Sequence, residues 1–125
     1  MQTITTSHAP AAIGPYSQGI VSGGLLFTAG QIPLDPEKMS LVGATIEEQT
    51  LQVLRNLDAV LAAADTNWDH VVKTTVFLVD LADFPAMNQI YEQHLGVAKP
   101  ARSTVQVAAL PRGAKIEIEL IAETK

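Results

Sequence analysis

The chain has 125 residues, enough for a single domain over 1–125, with 47% apolar residues and only 17% charged, against roughly 25% in an average soluble protein. That balance excludes a disordered chain, and no apolar stretch reaches the about 20 residues of a membrane span. A net charge of −5 with eight scattered basic residues speaks against nucleic acid and anionic membranes, and the absence of cysteine excludes disulfides, thiolate catalysis and cysteine-based metal sites. The opening Met1-Gln2-Thr3-Ile4 has neither a basic nor an apolar leader segment, so a cytoplasmic location is expected.

Residues 3–5 read as a short strand, and 9–15 (APAAIGP) as an irregular loop punctuated by two prolines and a glycine. Residues 16–22 and 25–29 are strand-like runs around Gly23-Gly24, a hairpin signal. A second loop covers 30–42. Thr45-Ile46-Glu47-Glu48 has the spacing of a capping box, in which the threonine hydroxyl and the glutamate side chain each satisfy a backbone N–H. The apolar spacing that follows predicts a helix over 46–64.

Residues 71–79 (VVKTTVFLV) are β-branched and predict a central, largely buried strand. Asp83 is the expected cap of a second helix, with Pro85 tolerated in its first turn and Gly96 as its stop. Phe84, Met87, Tyr91 and Leu95 form its apolar stripe. Residues 101–107 are extended, 108–114 turn the chain, and 115–122 (KIEIELIA) alternate as a strand should. The expected class is α+β, a sheet with two helices on one face. Its other face then has no cover within the chain, which predicts self-association.

Candidate chemistry gathers on the last two strands. Paired as a hairpin, they are expected to set Arg102 near Glu119 and Thr104 near Glu117, pointing away from the helices. The cation and two carboxylates, Arg102, Glu117 and Glu119, also fit a solvated face with ion pairs worth about 0–1 kcal/mol each. The functional reading rests on Pro100, which fixes the approach to Arg102, and on the planar guanidinium fork that suits a carboxylate. Asn88, on the apolar stripe of the second helix, fits a packing contact as well as a site group. Tyr16 reads as a half-buried anchor after Gly14-Pro15. His8, His70 and His94 lack metal-ligand spacing, no serine sits in a nucleophile elbow, and the glycines make no phosphate loop.

Four segments together resemble the Rid family of reactive-intermediate imine deaminases, also called the YjgF family: 11–19 (AAIGPYSQG), 28–33 (TAGQIP), 72–81 (VKTTVFLVDL) and 100–118 (PARSTVQVAALPRGAKIEI). The resemblance spans nearly the whole chain. It implies a chorismate-mutase-like fold, a homotrimer joined through the open sheet faces, and sites in the clefts between subunits. It implies hydrolysis of 2-imino acids such as 2-iminobutanoate and 2-iminopropanoate to 2-keto acids and ammonia, without a cofactor or metal. Arg102 would clamp the substrate carboxylate and Glu117 would position the attacking water. Tyr16, Ala29, Gly30, Asn88 and Thr104 would complete the substrate-binding set. Many members carry cysteine at Thr104 and serine at Ala29, so thiol chemistry is not required here and any contact at Ala29 is a backbone one. The alternative is a non-catalytic trimeric binder of small 2-keto carboxylates, which would use Arg102 without Glu117. Nuclease, translation-inhibitor and chaperone-like roles linked to some relatives fit the charge less well, and a chorismate mutase would share the fold only.

Overall fold

The structure, a computed structural model, describes residues 1–124. The chain runs β1 (Gln2–Ile4), β2 (Gly19–Ser22), β3 (Leu25–Thr28), α1 (Ile46–Ala63), β4 (Val71–Leu78), α2 (Phe84–Leu95), β5 (Ala101–Gln106) and β6 (Ile116–Glu123). The strands form one six-stranded sheet in the order β1-β2-β3-β6-β4-β5. Every pairing is antiparallel except β4 with β5, and α2 supplies the crossover that a parallel pair requires. Gly23 and Gly24 take φ of 59° and 78° in the β2–β3 turn, a backbone that favours glycine.

Both helices pack on one face of the sheet. The capping box opens α1 as expected: the Glu48 N–H donates to the Thr45 hydroxyl at 3.1 Å, and the Glu48 carboxylate accepts from the Thr45 N–H at 3.2 Å. Val53, Leu54, Leu57 and Val60 of α1 are fully buried against Leu26, Val76, Leu78, Ile116 and Ile118 of the sheet. Each such side chain stabilises the fold by about 1.5–3 kcal/mol, and Leu57→Ala would cost about 2–5 kcal/mol. Asp58 ties the helices together, accepting from Trp68 Nε1 at 2.6 Å and bonding His94 Nε2 of α2 at 2.9 Å.

Three expectations need correction. Asp83 does not cap α2, because its backbone is already helical (φ −80°, ψ −4°) and its side chain makes no cap bond. Asp80 does that work one turn earlier, accepting from the Ala82 N–H at 2.9 Å and opening the 3-10 turn Leu81–Asp83 that runs into α2. Gly96 ends the helix at φ 65°, as expected.

The second correction concerns pairing. β5 and β6 are not a hairpin, since β4 lies between them. Arg102 stands opposite Thr74 of β4, which stands opposite Leu120 of β6, while Glu117 is opposite Phe77 and Glu119 opposite Thr75. The segment between β5 and β6 contains the 3-10 turn Pro111–Gly113 and carries the chain past β4.

The third follows from that register. Thr74 is buried and bonds α2, so Arg102 beside it points toward the helices, not away from them. Glu117 and Glu119 do point away, on the face opposite buried Ile116, Ile118 and Leu120. That open face also carries Phe27 and Val105, each 42% exposed, with Phe77 and Ile121 half-buried between them. Among the described residues no element covers it.

Candidate functional site

The site residues fall into two clusters on opposite faces of the sheet. The first is built around Arg102. Pro100 leads into β5, and its register with β4 sets Arg102 against α2. There Arg102 Nη1 donates to Asn88 Oδ1 at 2.7 Å. The guanidinium carbon lies 4.8 Å from the centre of the Tyr91 ring and 5.3 Å from that of Phe84. Residues 84, 88 and 91 share one stripe of α2, so a single helix face supplies an acceptor and two rings. A guanidinium has five donors, and among the described residues Arg102 forms no salt bridge. A cavity of about 290 Å³ opens here, lined by Asn88, Tyr91, Lys99, Pro100 and Arg102 among others. A small anion can accept the remaining N–H groups.

The second cluster surrounds Glu117 in a cavity of about 470 Å³. Tyr16, Ala29 and Gly30 line it, with Ile13, Ile32, Leu34 and Met39 giving it an apolar side and Arg112 a second cation. Two features seat these groups. Gln31 forms a two-way backbone bridge with Ile118, its N–H donating at 2.8 Å and its carbonyl accepting at 3.1 Å. The bridge presses the Ala29-Gly30 backbone against β6 beside Glu117. A Cβ at Gly30 would overlap the Glu117 carboxylate, so only glycine permits this approach. Burial, first, and the neighbouring Glu119 charge, second, push the Glu117 carboxyl above its ordinary range. A carboxylate raised in this way is a stronger base than a free one.

Arg102 and Asn88 therefore come together, as do Glu117, Tyr16, Ala29 and Gly30, but one chain does not bring the two groups together. With strands about 4.8 Å apart and a rise of about 3.3 Å per residue, two strands and three residues separate Arg102 from Glu117 by roughly 14 Å at the backbone. Thr104 faces the helices opposite Val76 and lines neither cavity. Among the described residues no cluster of three His, Asp or Glu side chains could hold a metal ion, and no helix is long and apolar enough to cross a membrane.

Sequence reasoning missed three contributors. Phe84 and Tyr91 belong to the core stripe as expected, with Tyr91 buried in the core and Phe84 packed against it, yet both rings also flank Arg102; an arginine-facing ring has the same helical spacing as a core ring. Gln18 is 3% exposed and holds the loop that carries Tyr16. Its amide donates to the Pro10 carbonyl at 2.8 Å and accepts from the Thr6 N–H at 2.7 Å. A polar residue just before β2 is the only signal for it.

The family model described as Endoribonuclease L-PSP matches residues 6–124. A protein of Lactococcus lactis named "Putative regulator AldR" is 50% identical over 125 residues, covering 100% of this chain and 99% of that one. The 2-iminobutanoate/2-iminopropanoate deaminase of Mus musculus is 46% identical over 121 residues, covering 97% of this chain and 90% of that one. The crystal structure of the YjgF gene product of E. coli superposes with a TM-score of 0.95 at 44% identity, with 100% of each chain covered.

Proposed function

From the premise that the chain belongs to the Rid (YjgF) family, we propose that it hydrolyses 2-imino acids, such as 2-iminobutanoate and 2-iminopropanoate, to 2-keto acids and ammonia. The observation that carries this reading is the division of labour between the two clusters. One holds a preset arginine fork for a small carboxylate, and the other holds a carboxylate of raised basicity beside an apolar cavity. The relative named as a deaminase supports the same chemistry.

The substrate is an anion with an electrophilic C2. Arg102 fixes its carboxylate, and holding both reactants in place lowers the barrier by several kcal/mol. A protonated imine is already activated toward water. Glu117 accepts a proton as the water oxygen bonds to C2 and the C=N π electrons move to nitrogen. Glu117 then passes that proton to the amine nitrogen and takes the hydroxyl proton as the C2–O bond becomes a carbonyl; the C–N bond breaks with its electron pair leaving on ammonia, and the 2-keto acid remains. The apolar side chains near Glu117 receive the substrate's own side chain.

Since Arg102 and Glu117 cannot meet within one chain, the complete site takes Arg102 from one copy and Glu117 from the next. Three copies arranged around a common axis through their open sheet faces would bury Phe27, Phe77, Val105 and Ile121 and form three equivalent clefts. Sedimentation or light scattering tests the assembly, and a monomer at working concentration would refute it.

The activity is tested by keto-acid release from threonine plus a threonine dehydratase. The protein should accelerate release and Arg102→Ala should not; undiminished acceleration by that variant would end the reading. A second reading is favoured by one observation, that the Arg102 cluster is complete within a single chain and needs nothing from Glu117. It makes the protein a non-catalytic binder of small 2-keto carboxylates, in keeping with the regulator name of one relative. Titration with pyruvate or 2-oxobutanoate beside the turnover assay separates the two, and binding without turnover selects the binder.

A further inference from the structure

The geometry points to Thr74 and Tyr91 as positioning residues for Arg102: the Thr74 hydroxyl pins the Tyr91 ring, and the pinned ring holds the guanidinium in its carboxylate-binding orientation. This inference rests on the reading of Arg102 as a carboxylate clamp.

Thr74 is fully buried and Tyr91 is 7% exposed. Their hydroxyl oxygens are 2.8 Å apart in a buried hydrogen bond. Thr74 is also the direct cross-strand neighbour of Arg102 in the parallel β4–β5 pair. One register position thus presents both the arginine and the hydroxyl that fixes the ring against it. The Tyr91 ring centre lies 4.8 Å from the guanidinium carbon, inside the range at which a ring face attracts a cation. Phe84 lies beside the same guanidinium at 5.3 Å and Asn88 bonds one edge, so ring and acceptor together define its plane.

The hydroxyl bond has a role that burial alone does not explain. A tyrosine is attached through two rotatable bonds, and packing restrains its ring only as far as its neighbours resist. A bond at the far end of the ring, to a hydroxyl on a central strand, fixes the ring's tilt at the greatest leverage. An arginine carries several rotamers, and each one lost before binding is an ordering cost the ligand does not meet. Thr74 does not itself line the cavity, and its hydroxyl bonds Tyr91 and neither Asn88 nor the guanidinium, so it acts through Tyr91.

The test compares Tyr91→Phe, Thr74→Val, the double variant and Thr74→Ser with the parent. The single variants leave one buried hydroxyl without its partner, whereas the double variant removes both and keeps the fold intact if either single variant fails. The first readout is the order of the Arg102 side-chain Nε–Hε group by NMR in the free protein, which needs no activity. The second is the Kd of 2-oxobutanoate beside KM and kcat for imine hydrolysis. Order should fall in both single variants and in the double variant. Kd and KM should rise together by about tenfold, with kcat much less affected, because the carboxylate is held alike in ground and transition states. Thr74→Ser should restore both readouts. Unchanged Arg102 order with an unchanged Kd would overturn the proposal, whatever happens to thermal stability. If the parent neither binds the keto acid nor turns over imine, the clamp reading fails, and the NMR order still decides whether Thr74 and Tyr91 hold the arginine.

Discussion

Arg102 and Glu117 lie on opposite faces of one sheet, on strands separated by β4, with the arginine turned toward the helices and the carboxylate turned toward the uncovered face. Any reaction that needs both must therefore join two copies of the chain. This predicts complementation. Arg102→Ala and Glu117→Gln should each abolish imine hydrolysis alone. Unfolded together in equal amounts and refolded, they should recover about a quarter of parental activity, because in a random cyclic trimer each mixed assembly has one intact cleft of three. No recovery from correctly assembled mixtures would place both residues in separate functions.

The raised Glu117 carboxyl sets a pH dependence. Its causes are burial first and the Glu119 charge second. The basic form is lost as pH falls, so the acid limb of kcat/KM should lie above the ordinary value of 4.5. Glu119→Gln removes the second cause and should move that limb to lower pH while burial keeps it above 4.5. The stability effect has the opposite sense. A folded value above the unfolded one gives a contribution fully present below the unfolded value and lost as pH rises through the folded one. Glu117→Gln lacks this loss, so denaturant unfolding across the same window should show the variant gaining on the parent as pH rises. A gap independent of pH would contradict the assigned burial.

Local signals were legible in the sequence and long-range ones were not. The capping box is read correctly because Thr45 and Glu48 are three residues apart and settle the matter between themselves. The core side of β6 is equally plain, since Ile116, Ile118 and Leu120 alternate with two glutamates. The partner of β6 depends instead on where distant segments travel, and the turn at Pro111–Gly113 has the composition of a hairpin although it ends a crossing. The facing of β5 misleads for a different reason. It is an edge strand with no buried residue, since Arg102 and Thr104 are only partly covered and the other four are exposed, and Val105 lies on the open side. An apolar residue there marks a surface that another copy could cover, not the core of its own chain. Arg102 was thus recognised by its motif and given the wrong face by its pattern.

Among the described residues, one buried side-chain hydroxyl is left without a partner. Thr50 is fully buried in α1, and its hydroxyl makes no hydrogen bond among the described residues. An unsatisfied buried hydroxyl costs about 1–3 kcal/mol. Thr50→Val keeps the shape and replaces the hydroxyl with a methyl group, so it should raise stability by about 1 kcal/mol. Chemical denaturation with an unchanged m-value checks this. A destabilised variant would mean that the hydroxyl has an unseen partner.

Gly30 offers the most direct check on the role proposed for Glu117. Its φ is not among the positive values, so alanine is compatible with its backbone, and Gly30 itself is exposed. The three heavy atoms nearest to a Cβ there all belong to the Glu117 side chain. Gly30→Ala should therefore leave the melting temperature close to parental while displacing the Glu117 carboxylate and lowering kcat by at least about tenfold, which corresponds to about 1.4 kcal/mol of transition-state stabilisation. The same substitution in a Glu117→Gln background should add little further loss, because both changes act on one group. Full additivity of the two losses would show that Gly30 serves the reaction by some route other than making room for Glu117.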